Sequence, residues 1–484
     1  MPSTSSSPFR ESYTLEIGSG QTGSSNGERT PVYNPSTAEV LTEVPAGTAD
    51  DLDRAVTTAS EAFEEWRLVT PKERSRLLLK VAERITEAED RLARIETLEN
   101  GRPLVDARGQ VQRCARHFEY YAGIADKVQG TEIPLDEDHV NYTVKEPLGV
   151  TGHIVPWNVP IYLFARSVAP ALAAGNTVVV KPPNLAPVGG LEVGYILNEV
   201  LPDGVVNIVT GSGSVVGDAM SKHPDVESIT FTGSGSTGVK VGQNAASAIS
   251  DVVLELGGKS PLVVYPDVDI DRAVTEVIRG IFTGAGQICS ASSRALVHEE
   301  IHDRFVEQLV EQVKAFTIGP GIENPDMGPL ISESHLEDVL EYIELGREEV
   351  GDPVTGGERI DRTGYFLRPT VFNNVPNESR IAQEEIFGPV LTVTTFSDEG
   401  EAIELANDVE YGLAAGVMTD DVGKAHRFAK EVKAGQIYVN EWFAGGNETP
   451  FGGFKQSGVG RDNGTQAIEN FTQIKNVCVN ISYR

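Results

Sequence analysis

From Thr143 onward, short β-branched runs alternate with helical stretches, and this rhythm limits what the chain can fold into more than any other feature. "GVTGHIVPWN" precedes a helical pattern near 161–174, "NTVVVKP" one near 187–200, "GVVNIVTG" one near 214–222 and "SITFTGS" one near 236–248, before "DVVLELGG" closes the series. Parallel neighbours need a crossover long enough to bring the chain back, and a helix supplies it with right-handed sense. The series therefore predicts βαβ units and a largely parallel sheet. Runs such as "TVVV" lack polar alternation, as strands covered on both faces do. A second alternating region holds "SPLVVY", a helix near 269–283, "RALVH", a helix near 299–315 and later "QIYVN".

At 484 residues the chain is too long for one core. It reads as α/β, with a domain boundary near 256 and a second α/β domain from there to about 455. The segment 127–147 and the tail "IKNVCVNISYR" read as outlying strands that pair with each other or with another subunit. Upstream, "DDLDRAVTTASEAFEEW" predicts an amphipathic helix behind an Asp cap. "PKERSRLLLKVAERITEAEDRLARIETLENG" predicts a second, from Pro71 to Gly101.

Charge excludes several partners. Asp and Glu number 71 against 40 Lys and Arg, a formal net charge of −31. Such a surface repels nucleic acid and anionic membranes. It also suits high salt, where screening removes the self-repulsion, so a halophilic habitat is expected. The apolar stretch "IYLFARSVAPALAAGNTVVV" contains Arg166, Pro170 and Gly175 and reads as soluble core rather than a membrane span. The N-terminal "MPSTSSSPFRESY" has no apolar centre, so it reads as a frayed tail and not as a secretory signal. The three cysteines, Cys114, Cys289 and Cys478, form no disulfide framework and fit a reducing, cytoplasmic setting.

Two strand ends open into glycine loops. "VTGSGSVVG" holds Gly213 and Gly217, and "FTGSGSTG" holds Gly233, Ser234 and Gly238 and leads into a helix. Backbone N–H groups at such a turn favour phosphate, although glycine turns also simply join strands. Two in succession within βαβ units point to a dinucleotide, without the G-x-G-x-x-G spacing. Cys289 stands in "FTGAGQICSASSR", between Gly284 and Gly286 on one side and Ser290 on the other. A buried cysteine usually serves as a small hydrophobe; an open, glycine-flanked one fits a nucleophile whose pKa helix-terminal N–H groups lower. Cys114 and Cys478 read as packing. An attacking thiolate needs an oxyanion donor and a base to release the acyl group. Asn158 between the prolines of "VPWNVP" and Glu255 in "LELGGKSP" are candidates, although either could be an ordinary turn or edge residue. No paired-His or CxxC spacing occurs, so no metal is expected.

"VPWNVP", "LELGGKSP", "GQICSA" and "EEIFGPV", in this order, resemble the aldehyde dehydrogenase superfamily, with "APALAAGNTVVVKP", "FTGS" and "PFGGFKQSGVGR" in support. The resemblance runs from about residue 30 to the end. It implies a Rossmann-like coenzyme domain (1–126 and 148–256), a catalytic domain (257–455) and a small β oligomerisation extension (127–147 and 456–484). It implies oxidation of an aldehyde with NAD or NADP by a homodimer or homotetramer. Cys289 would be the nucleophile, Asn158 and the Cys289 N–H would hold the oxyanion, and Glu255 would activate the hydrolytic water. Lys181 would reach the adenosine ribose and Ser234 the pyrophosphate. Glu385 and Phe387 would grip the nicotinamide ribose and pack near its ring, while Pro156, Trp157 and Leu256 would line the coenzyme cleft. Many NAD-preferring members carry a glutamate where this chain has Asn184, which opens the coenzyme choice to NADP. Arg166 sits where semialdehyde-oxidising members bind a substrate carboxylate, yet a similar run occurs in members acting on aromatic aldehydes. Tyr162, Trp442 and Phe443 are the expected pocket walls. A CoA-acylating relative is disfavoured because it needs no base such as Glu255. A catalytically silent scaffold is disfavoured because Cys289, Asn158 and Glu255 are all retained.

Overall fold

The computed structural model describes residues 7–482. An eight-stranded sheet contains the first alternating region. Its centre is parallel, in the spatial order Asp251–Glu255, Ser228–Thr232, Val150–Ile154, Thr177–Lys181, Val206–Ile208. The strand order reverses where Val150–Ile154 lies beside Ser228–Thr232, the position at which doubly wound sheets leave a crevice for a ligand. The crossover helices Pro160–Ala174, Val188–Asn198 and Gly235–Ala248 lie close to the predicted bounds. The expected helix near 214–222 begins instead as a wide helical turn, Gly213–Gly217, before Asp218–Lys222.

A second sheet has six strands, all parallel: Thr370–Phe372, Val390–Phe396, Arg294–His298, Pro261–Val264, Ala414–Met418 and Gln436–Val439. The chain leaves the first sheet at Glu255 and enters the second at Pro261 with only five residues between. The carboxyl ends of one sheet therefore face the amino ends of the other. Residues following Ile154, Thr232 and Glu255 meet residues preceding Pro261, Arg294 and Val390, and this junction holds the candidate site. Separate apolar cores cover the faces of each sheet.

Three local readings need correction. The helix capped by Asp begins instead behind Thr48, whose Oγ1 accepts from the Asp51 N–H while the Asp51 carboxylate accepts from the Thr48 N–H. The single helix from Pro71 to Gly101 is two, Pro71–Glu87 and Glu89–Asn100, broken at Ala88. Of the tail expected to fray, residues 1–6 lie outside the described residues, and the rest is anchored. Tyr13 is buried and donates to Glu192, which Arg10 also engages at 3.0 Å.

The outlying strands pair with each other: His139–Pro147 runs antiparallel to Thr472–Asn480. Within 456–484, Gly458–Val459 joins the edge of the first sheet and Gln466–Phe471 packs into its core, so the ribbon proper starts at Thr472. Asn176 ties these parts together. Its side chain accepts from the Gly149 N–H at 3.0 Å and donates to the Ala171 and Phe471 carbonyls.

Candidate active site

Cys289 owes its position to an unusual backbone. Gly284, Ala285 and Gly286 all have left-handed φ, from 56° to 72°. Ala285 tolerates this at a cost of about 1 kcal/mol. Gly286 is required for another reason: a Cβ there would lie 2.1 Å from the Gly388 carbonyl oxygen. The turn delivers Cys289 to the junction just before the strand Arg294–His298, where it is partly exposed. No helix starts at Cys289, which removes the expected source of a lowered pKa. Burial instead pushes the thiol up to about 12, with Arg166 pulling it back only in part.

Asn158 follows the strand Val150–Ile154 and is buried. Its side-chain amide donates to the Gln287 carbonyl at 3.0 Å. One of its two N–H groups is thus anchored two residues before the cysteine, and the other is left unclaimed. Its own carbonyl accepts from Asn100 and from Arg102 at 3.0 Å, which fixes the backbone. Glu255, at the end of its strand, is 2% exposed, and neither carboxylate oxygen has a hydrogen-bond partner. Burial raises its pKa well above the ordinary carboxylate range, and the neighbouring Asp462 carboxylate raises it further.

Asn158 and Cys289 line two cavities at once. The larger, about 1060 Å³, is also lined by Pro156, Trp157, Gly233, Ser234, Glu255, Leu256, Glu385 and Phe387, ten of the proposed residues in one cleft. Ser234 precedes the helix Gly235–Ala248, and its hydroxyl turns to Thr237 instead of capping the helix. The first-turn N–H groups therefore lack a side-chain cap where they border the cleft, which suits a pyrophosphate. The Glu385 carboxylate accepts from the Gly258 N–H at 3.0 Å, and burial raises it to about 7. A Cβ at Gly257 would lie 2.1 Å from Glu385 Oε2, so a side chain there would displace the Glu385 carboxylate. Phe387 packs edge-on against Trp157, and its carbonyl contacts His335 at 2.8 Å.

Lys181, Asn184, Gly213 and Gly217 lie outside that cleft's lining, at the adjoining strand ends. The Lys181 ammonium, lowered to about 8 by burial, donates to the Pro182 carbonyl and to Asn184 Oδ1 at 3.2 Å. A Cβ at Gly217 would pack on the Lys181 stem, and Gly238 sits beneath Leu256. The uncapped first-turn N–H groups of Gly235–Ala248 and the Lys181 ammonium are donors of the kind a dinucleotide's phosphates and ribose accept from.

The second cavity, about 400 Å³, is lined by Tyr162, Arg166 and Phe443. Trp442 does not reach it: the ring is 1% exposed, and its Nε1–H donates to the Ser290 carbonyl, so it braces the cysteine turn. Arg166 is buried and paired with Asp462 at 2.8 Å, and its guanidinium lies over Phe451. Its charge is therefore committed within the protein. Tyr438 and Phe451 line the second cavity, His335 lines the first and Asp462 pairs with Arg166; none of the four was singled out from the sequence. Phe451 lies within the "PFGGFKQSGVGR" stretch and Asp462 directly follows it, whereas Tyr438 and His335 had no functional signal beside them. Among the described residues no cluster of His, Cys, Asp and Glu could hold a metal ion.

The aldehyde dehydrogenase family profile matches residues 22–477. "Aldehyde dehydrogenase 1" of Tanacetum cinerariifolium is 43% identical over 458 residues, covering 93% of this chain and 92% of that protein. "Hydroxyisobutyraldehyde dehydrogenase" of Mycolicibacterium austroafricanum is 43% identical over 460 residues, 94% of this chain and 91% of that one. Among solved structures, an NAD+ complex of an aldehyde dehydrogenase from Bacillus cereus superposes with a TM-score of 0.96 at 40% identity, covering 98% of this chain and 97% of that chain. A betaine aldehyde dehydrogenase from Staphylococcus aureus with NAD+ gives the same TM-score at 38% identity, covering 98% of this chain and 96% of that chain.

The raised thiol has a chemical consequence. Alkylation of Cys289 by iodoacetamide in the coenzyme-free protein, followed by mass spectrometry of its peptide, should keep accelerating beyond pH 10. A plateau below pH 9 would contradict the burial effect.

Proposed function

The chain belongs to the aldehyde dehydrogenase family and is an NAD(P)-dependent enzyme, and on that premise we propose that it oxidises aldehydes to free carboxylic acids through Cys289. The observation that carries this reading is the convergence of Cys289, Asn158 and Glu255 on one cleft. Cys289 Sγ, on losing its proton, attacks the carbonyl carbon. The carbonyl oxygen becomes an oxyanion, held by the unclaimed Asn158 N–H and the Cys289 backbone N–H. NAD(P)+, when bound, would supply the hydride acceptor, with Glu385, Phe387 and Trp157 holding its nicotinamide half, so that loss of hydride from the tetrahedral carbon re-forms the carbonyl as a thioester on Cys289. Glu255 takes a proton from water as its oxygen attacks the thioester, and the acid leaves with Cys289 restored. A carboxylate poised above its ordinary pKa is a stronger base for that step.

The absence of a carboxylate at Asn184 supports use of NADP as well as NAD, because Lys181 meets an amide there and not an anion. The helix Glu333–Glu349 adds Glu337, Asp338, Glu341, Glu344 and Glu348 to the coenzyme cleft's lining. These five carboxylates, within an acidic chain, support a protein adapted to high salt, where an anionic coenzyme approaches more easily. The second cavity supports entry of the aldehyde between aromatic walls. With Arg166 held by Asp462, an aromatic or extended apolar body suits it better than a short semialdehyde clamped at Arg166. The ribbon of 139–147 and 472–480 exposes Val140, Tyr142, Ile474 and Val479, which supports a homodimer or homotetramer built on that edge. Three free cysteines support a cytoplasmic setting, and among the described residues no helix is long and apolar enough to cross a membrane.

Stopped-flow absorbance at 340 nm tests the mechanism. Cys289→Ala should abolish turnover, a loss on the order of a thousandfold or more. Glu255→Gln should give one burst of reduced coenzyme per site and then release acid slowly; normal steady-state turnover would remove Glu255 as the base. For the coenzyme, the native KM for NADP should fall as salt rises, and Asn184→Glu should raise it roughly tenfold relative to NAD. An unchanged coenzyme preference in that variant would contradict the reading.

A further inference from the structure

We infer that Arg113 selects aldehydes carrying an anionic group at the end remote from the carbonyl. This deepens the reading of Cys289 as the nucleophile and rests on it. The second cavity begins at Cys289 and Asn158, passes Tyr162, Tyr438 and Phe451, and also takes in Arg113. Tyr438 lines the same cavity as Cys289 and Arg113.

Four arginines line this cavity, and their partners separate them. Arg166 is paired with Asp462 at 2.8 Å. Arg102 lies 3.9 Å from Glu96 and donates to the Asn158 carbonyl. Arg279 lies 3.7 Å from both Glu276 and Glu441. Arg113 alone has no carboxylate within ion-pair distance among the described residues; its guanidinium sits 5.9 Å from the centre of the Tyr162 ring. Arg113 is exposed, at the solvent end of the path, on the helix Leu104–Ile124. Its backbone is fixed, because its carbonyl accepts from Asn447 Nδ2 at 3.2 Å and contacts His117 Nδ1 at 3.1 Å.

An aromatic corridor ending in an unpaired guanidinium is complementary to an amphipathic aldehyde whose far end accepts a forked pair of hydrogen bonds. Asp106 also lines the cavity without a cationic partner. It lies seven residues earlier on the same helix, about 10 Å along the axis, which is roughly a Debye length at moderate salt. Salt weakens the repulsion that Asp106 exerts on a ligand carboxylate seated on Arg113.

The test compares 4-carboxybenzaldehyde with benzaldehyde on the native enzyme, Arg113→Met and Arg113→Lys. The native enzyme should favour the carboxylated aldehyde in kcat/KM. Arg113→Met should lower that value roughly tenfold or more, mainly through KM, and benzaldehyde by a far smaller factor, so that the preference collapses. Arg113→Lys should recover part of it. Equal native specificity, a native preference for benzaldehyde, no turnover of the carboxylated aldehyde, or an equal loss on both substrates would each overturn the inference. Cys289→Ala, run alongside, should silence both substrates. Surviving turnover there would remove the underlying mechanism, whatever Arg113 does.

Discussion

The ion pair between Arg166 and Asp462, 2.8 Å long and sealed from water, sets the electrostatics of the whole junction. It puts the Arg166 guanidinium within electrostatic reach of both Cys289 and Glu255, and the Asp462 carboxyl, itself raised by burial and pulled back by Arg166, beside Glu255. Arg166 works against the burial that raises the proton affinity of both the thiol and Glu255, and Asp462 adds to the burial effect at Glu255. A buried pair of this kind is a poor source of stability, because desolvation offsets its attraction. Its consequence is chemical: the two groups to which the proposed mechanism gives proton transfers, Cys289 and Glu255, are biased by one shared pair.

That pair exists only because the two sheets meet end to end. Arg166 comes from a crossover helix of the first sheet, and Asp462 from the segment that returns after the second to add Gly458–Val459 to the first sheet's edge. Gly257 and Gly258 allow the passage. A side chain at the first would collide with Glu385, and one at the second would lie 2.6 Å from the Cys289 carbonyl oxygen. Arg294 braces the same passage from behind, donating to the Lys259 carbonyl at 3.1 Å and to Asn377. Catalytic distances therefore depend on glycines and buried arginines some way from the reacting atoms.

Much of this was legible in the chain. Strand–helix alternation set both parallel sheets, since burial on two faces writes itself as uninterrupted apolar runs. The ordered motifs singled out Cys289, Asn158 and Glu255, and the fold brings the three to one cleft. What failed had physical reasons. The break at Ala88 sits in a stretch whose helical propensity never drops, so nothing local marks it. Trp442 looked like a pocket wall, but its N–H found the Ser290 carbonyl and the ring turned inward. Arg166 looked like a free clamp, and its partner lies 296 positions away in the chain. Pairing at such separation leaves no periodic trace, which is also why Arg113 becomes distinctive only once the other arginines have been matched.

Asp462 raises the proton affinity of Glu255 within the buried cluster. This coupling is tested most directly by the pH dependence of thioester hydrolysis, followed as acid release in single turnovers of the native and Asp462→Asn enzymes. Removing the negative neighbour should let Glu255 ionise more easily, so the acidic limb should move to lower pH in the variant. An acidic limb that stays in place, or moves to higher pH, would contradict the account.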